Sequence, residues 1–140
     1  MASEFRTRRR IEFEDTDAAG IVHFSRFHVF MEQAEHAFLR SLGLSVHMDF
    51  EGDRVSWPRM ATSCEFYAAA RFEEVIDIHL RVARVSARSV TYACDFWRGE
   101  EKLASGEISS ACCICNPGEP MRSIEIPAII AAQLEEAPPP

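Results

Sequence analysis

Two carboxylates, Asp15 and Asp17, stand one residue apart in the stretch DTDAAGIVHF, where Gly20 can take the positive φ that a tight loop often requires. A run of helical periodicity follows directly. The first turn of a helix presents unpaired backbone N–H groups and roughly half a positive charge, which would attract a polarised carbonyl oxygen. A carboxylate on the loop feeding that helix could then face the carbonyl carbon. This is a plan for acyl transfer. The competing expectation is structural, because loop aspartates commonly accept hydrogen bonds from nearby backbone. Asp15 is expected to do that, fixing the loop so that Asp17 is held in place.

The helix that must position this loop is read from Phe27, Phe30, Met31, Ala34, Phe38 and Leu42, which trace one face of a 3.6-residue period. His28, Glu32, Glu35, His36 and Arg40 lie off that stripe. Ser25 is the expected N-cap, and Gly43 suits the position just past the helix end. Upstream, Phe5 to Phe13 reads as a strand with Ile11 and Phe13 turned inward. Ser45 to Trp57 follows neither period and reads as a connection with one short strand.

From Met60 the period changes to two. Met60, Cys64 and Phe66 form one alternating set, followed by Ile76 to Val82, Val90 to Phe96 and a last strand over Ile108 to Cys115. The connections near Arg71 to Glu74, Ser86 to Arg88 and Gly99 to Glu101 are of hairpin length, so an antiparallel meander is expected. Ile126 to Leu134 suggests a terminal helix, and EEAPPP a disordered end. The expected architecture is α+β, with one long helix across about five antiparallel strands. Residues 1–136 are taken as one domain and 137–140 as a tail.

Composition narrows the function. A net charge of -7 argues against nucleic acid as a partner, since such proteins carry a basic footprint. Arg6, Arg8 and Arg10 would share one face of a strand, either as a solvated edge or as a contact for nucleotide phosphates. No apolar run reaches the ~18 residues of a membrane helix. With no apolar signal segment, the cytoplasm is the default, and the five cysteines read as reduced thiols. Cys112, Cys113 and Cys115 lack the C-x-x-C spacing of zinc sites, and the two aspartates have no companion ligand cluster, so neither metal nor cofactor is expected.

DTDAAGIVHF resembles the D-x-D-x-x-G-x-V signature of hot-dog-fold acyl-CoA thioesterases of the 4-hydroxybenzoyl-CoA thioesterase type. WPRMATSCEF, ARFEEVIDIHL and RSIEIPA are similar to the same family, so the likeness spans nearly the whole chain. The resemblance implies a helix wrapped by the sheet and an acyl-CoA substrate. It also implies active sites at a homodimer interface, with dimers pairing into a homotetramer. An exposed sheet edge independently favours a homodimer with a joined sheet.

Carried over residue by residue, the resemblance makes Asp17 the catalytic carboxylate and the backbone N–H of Phe24 the donor that polarises the thioester carbonyl. Gly20, from the same motif, is grouped with the substrate-binding residues. Glu32 matches an acidic helix residue that touches the ring hydroxyl of an aromatic acyl group. Trp57 stands where that subgroup has a small polar residue and is counted with the acyl pocket. Arg88 matches basic residues near the CoA phosphates. A related branch has histidine at the position of Phe24, a pattern this chain lacks, so His23 is given no catalytic role.

The expected activity is hydrolysis of an acyl-CoA thioester carrying a small, aromatic acyl group, with Asp17 as nucleophile or general base. Two alternatives stand beside it. One is a non-catalytic acyl-binding or assembly module of the same fold; the other is a thioesterase acting on carrier-protein thioesters.

Overall fold

The computed structural model describes residues 2–140. In chain order the regular elements are β1 (Glu4–Arg10), α1 (Phe24–Ser41), β2 (His47–Phe50), β3 (Asp53–Ser56), β4 (Arg59–Phe66), β5 (Val75–Val85), β6 (Ser89–Arg98), β7 (Glu101–Ala111), β8 (Cys113–Ile114), β9 (Arg122–Ser123) and α2 (Ala128–Ala131). A five-stranded antiparallel sheet has the order β1-β5-β6-β7-β4, and a smaller sheet the order β2-β3-β8-β9. No helix among the described residues is long and apolar enough to cross a membrane.

The α1 stripe is buried as its spacing predicts, with Phe27, Phe30, Met31, Ala34 and Phe38 packed on the large sheet. Each large apolar side chain so buried contributes roughly 1.5 to 3 kcal/mol. Leu39 and Glu35, outside the expected stripe, are buried too. Met31 of the helix packs directly over Gly106 of β7. A Cβ there would stand 2.5 Å from the Ser63 carbonyl oxygen and 2.9 Å from Met31 Sδ. Gly43, at φ +76°, follows the helix as expected.

Several boundaries differ from expectation. His23, not Ser25, is the N-cap, and its side chain accepts the Ser25 N–H. β1 ends at Arg10, because the chain turns into a single 3-10 turn, Phe13–Asp15, that leaves Phe13 exposed. Ser45 to Trp57 holds two short strands instead of one, joined by Glu51 and Gly52, both at positive φ. The last predicted strand is two: β7 starts at Glu101, and after Cys112 the chain leaves for the small sheet as β8.

The strands do not form a simple meander. β5, β6 and β7 are sequential hairpins, but β4 pairs with β7, so Arg71 to Glu74 is part of a crossover and not a hairpin turn. A bulge at Met60 sets the facing of β4. Arg59 pairs with Ser110 and Ala61 with Ser109, which leaves Met60 unmatched. Arg59 can therefore face α1 together with Thr62, Cys64 and Phe66, two parities that a regular strand would put on opposite faces. Met60 itself is exposed, and the bulge takes it out of the alternating set it was grouped in with Cys64 and Phe66. At the other end of the chain, Glu135 and Ala137 donate N–H groups to Ala2 and Val82 carbonyls, so EEAPPP is pinned along its first half.

Candidate active site

The loop between the 3-10 turn and α1 closes on itself. Thr16 bridges Val22, and the Asp17 N–H donates to the Ile21 carbonyl at 2.8 Å. Gly20, at φ +79°, makes the return, and its N–H donates to the Asp17 carbonyl. Two downstream ties hold the loop against the β4–β5 crossover: an Ile21–Arg71 bridge and the Val22 N–H on the Ala70 carbonyl at 2.9 Å. The result returns the chain beside Asp17 just where α1 begins.

Asp15 is the loop's internal anchor. Wholly buried, it accepts from the Glu12 N–H at 2.8 Å and from Arg26 Nε at 2.8 Å, with Arg9 at 3.3 Å on both oxygens. The His23 N–H donates to the Asp15 carbonyl, fixing the residue before the helix. Arg9 reaches this point because it faces inward on β1, with its guanidinium 4.5 Å from the Phe30 ring centroid. Sequence spacing gave no sign of either arginine's partner, since both contacts are tertiary.

Asp17 is half-buried. Its Oδ1 accepts from the Ala19 N–H at 2.8 Å and, more weakly, from Ile21 N–H at 3.4 Å, while Oδ2 has no hydrogen-bond partner among the described residues. The Phe24 N–H, first in α1, likewise meets no acceptor among them. The Phe24 side chain is exposed and stacks on the His23 ring. Thus an acceptor with a spare oxygen and a spare helix-start donor flank the same short loop.

One turn into α1 a cleft of about 200 Å³ opens between the helix and the β4 edge, lined by His28, Val29, Glu32, Arg59, Thr62 and Ile108. His28 Nδ1 is 2.8 Å from Thr62 Oγ1 across it. Glu32 is not simply solvated, because its Oε1 accepts from Arg59 Nη2 at 3.1 Å. The same guanidinium forks onto the buried Glu35, at 2.7 and 2.5 Å, and donates to Ser110 at 2.8 Å. Glu35 was missed because it is charged; its place four residues after Met31 and three before Phe38, on the rim of the stripe, was the available signal.

The remaining sequence candidates lie apart within one protomer. Trp57 is 7% exposed and belongs to the hydrophobic core, outside the lining of the Glu32 cleft. Arg88 sits in the β5–β6 turn, donating to the Ser123 carbonyl at 3.1 Å. The Asp17 loop touches the crossover that enters the other end of β5, and 11 residues of strand extend roughly 36 Å.

The family model described as "Thioesterase superfamily" matches residues 19–105, most of the stretch from the loop glycine through β7. The chain belongs to the thioesterase superfamily. Among relatives of this superfamily member is a 4-hydroxybenzoyl-CoA thioesterase of Pseudomonas sp. (strain CBS-3), 27% identical over 91% of this chain and 95% of that one. Another is the acyl-CoA thioesterase YbgC of Haemophilus influenzae, 23% identical over 74% and 76%. The solved structure of hypothetical protein TT1821 from Thermus thermophilus superposes with a TM-score of 0.80, at 31% identity over 94% and 96% of the two chains. The fold of this superfamily member is the hot-dog fold, the helix being wrapped by the five-stranded sheet.

Proposed function

We propose that this protein hydrolyses acyl-CoA thioesters at the start of α1, with Asp17 as the reacting carboxylate and the Phe24 N–H as oxyanion donor. The observation that carries this is that an Asp17 Oδ2 and a Phe24 N–H, each without a hydrogen-bond partner among the described residues, stand on one closed loop. Relatives named as acyl-CoA and 4-hydroxybenzoyl-CoA thioesterases support the substrate class.

Two routes fit the carboxylate. As nucleophile, Asp17 attacks the thioester carbon, the C–S bond breaks with release of CoA thiolate, and water cleaves the resulting anhydride to acid and free Asp17. As base, Asp17 takes a proton from water, whose oxygen adds to the carbonyl before the thiolate leaves. In both, charge that develops on the carbonyl oxygen faces the helix start, where donors are fixed in advance. A thiol pKa of about 8.5 makes CoA a leaving group that needs little acid assistance.

A second copy of the chain completes the site. β4 is a sheet edge, and Met60 and Phe66 on it, with Tyr67 just after it, are large exposed hydrophobic residues. Joining two β4 edges antiparallel continues the sheet, covers these residues and brings the β5–β6 turn of one copy to the same end as the Asp17 loop of the other. That arrangement would carry Arg88 to the end of the sheet where the partner's Asp17 loop lies. Two such dimers form the tetramer, and the cytoplasm is where the reduced thiols are kept.

The acyl group is small and aromatic in this reading, since the cleft one turn into α1 holds only about 200 Å³ and has Glu32 and Arg59 in its wall. Thiol release from benzoyl-, 4-hydroxybenzoyl-, phenylacetyl- and palmitoyl-CoA, and from one acylated carrier protein, tests this. The highest kcat/KM is expected for an aromatic CoA ester. Palmitoyl-CoA as the best substrate overturns the acyl assignment, and absence of release from every thioester overturns the enzymatic one.

A further inference from the structure

One residue, His23, decides which donor the start of α1 presents. Of the first three N–H groups of the helix, that of Arg26 donates to the His23 carbonyl at 2.9 Å and that of Ser25 to His23 Nδ1 at 3.2 Å. The first, on Phe24, meets no acceptor among the described residues. The imidazole also stacks on the Phe24 ring, with centroids 4.5 Å apart, and the His23 N–H is tied to the Asp15 carbonyl at 2.8 Å. An N–H cannot donate to a protonated nitrogen, so Nδ1 is bare and the neutral ring carries its hydrogen on Nε2. Ser25 Oγ, 2.7 Å from the same nitrogen, then donates its hydroxyl hydrogen there too. Protonating the ring turns Nδ1 from acceptor into donor. The bond from the Ser25 N–H is then lost, and a positive charge stands at the positive end of the helix dipole.

We propose that His23 is a positioning residue for turnover: its neutral ring sets the Phe24 N–H toward the thioester carbonyl, and protonation unfastens the helix start and slows hydrolysis. This rests on the reading of the Phe24 N–H as the oxyanion donor. The usual caps, Ser, Thr, Asn and Asp, accept the same bond without titrating near neutrality, so an imidazole in their place adds a dependence on pH. The charged side chains on the elements around the ring are Asp15 and Asp17 on the loop, Arg26 on α1 and Arg71 on the crossover tied to Ile21. Carboxylates and guanidiniums ordinarily keep their charge between about pH 5 and 8, whereas histidine changes its own there. His28, further along α1, turns instead to Thr62.

The test measures kcat between about pH 8 and 5.5, by loss of thioester ultraviolet absorbance, with whichever ester of the thiol-release panel is turned over best. Wild-type kcat should fall about tenfold across that range. His23→Ala, with neither cap nor ring, should be about tenfold slower than wild type at the alkaline end, with KM little changed. His23→Asn restores a cap that does not titrate there; it should recover most of the loss seen in His23→Ala and hold its turnover at the acid end. Turnover of His23→Ala equal to wild type, an acid limb that persists in His23→Asn, or His23→Asn as slow as His23→Ala each overturns the proposal. The cap is also read without turnover, by nuclear magnetic resonance of the wild-type protein, where the Ser25 amide signal should move with the His23 ring on titration. A Ser25 amide that stays still overturns the cap. Failure of the functional reading looks different: no thioester is hydrolysed at any pH while the Ser25 amide still follows the ring, and the positioning role then falls with that reading.

Discussion

Arg26 Nη2 stands 2.7 Å from Asp15 Oδ1, linking the first turn of α1 to the buried base of the loop that carries Asp17. The pair fixes the helix start and the loop as one body, so the geometry of Asp17 depends on a contact made by its neighbour. Arg26→Ala should cost about 3 kcal/mol, the lower end for removing one partner of a buried pair, because Arg9 remains as a second cation. Urea denaturation measures it, and a midpoint equal to wild type would show the pair to be idle.

Asp17→Asn keeps the shape of the side chain and its acceptor oxygen for the Ala19 N–H while removing the charge. Turnover should fall by at least about a hundredfold, with the circular dichroism spectrum and melting temperature retained. Thiol release with saturating ester decides this, and turnover near wild type would remove Asp17 from the mechanism.

Gly106→Ala places a methyl group against the backbone of Ser63 as well as the Met31 side chain. Met31 can swing aside; the carbonyl of β4 cannot without disturbing the β4–β7 ladder. The expected cost is about 1 to 3 kcal/mol, read as a lower melting temperature. No change in melting temperature would mean that the helix does not ride as close to β7 as described.

A pH effect follows from Asp95, which is 8% exposed on β6, 2.6 Å from Arg81 and 3.1 Å from Lys102. Burial alone would raise its carboxyl, but hydrogen bonds from Arg81 and Lys102, with their charges, hold it below the usual carboxylate range. A folded value below the unfolded one, near 3.9, means that this stability is present above about pH 4 and is lost as pH falls through the folded value. Asp95→Asn should therefore be less stable than wild type at pH 7 by about 1 to 3 kcal/mol, and the gap should narrow as the pH drops below about 4. A gap that does not change with pH contradicts the ionic origin.

The sequence revealed those features whose cause is local. The α1 stripe, the β5–β6 and β6–β7 turns and Gly43 all follow from periodicity or backbone preference, and each stands where expected. Sheet order was hidden because β4 chooses β7 over β5 through contacts distant in sequence, as in Phe66 with Ala104 and Arg59 with Ser110. Met60 misled because a bulge has no period of its own. In the site, the closed Asp17 loop was legible from its glycine and its helix. Arg9, Arg26 and Arg59 were not, since a charged side chain on an element says nothing about which distant carboxylate it will meet. Trp57 is packed into the core of one copy, a placement its sequence position did not announce, because a large ring fills a core as readily as it lines a pocket.

The ties from Ile21 and Val22 to Arg71 and Ala70 also bear on how the molecule is made. During synthesis the N-terminal segment emerges long before its partners, because β1 pairs only with β5, whose last residue is Val85. Until then α1 has no sheet to cover its apolar stripe, and the loop before it has nothing to lean on. Competence for chemistry therefore arrives late on the ribosome. A nascent chain released before β5 has emerged should be a substrate for chaperones and proteases, with its Asp17 loop unformed.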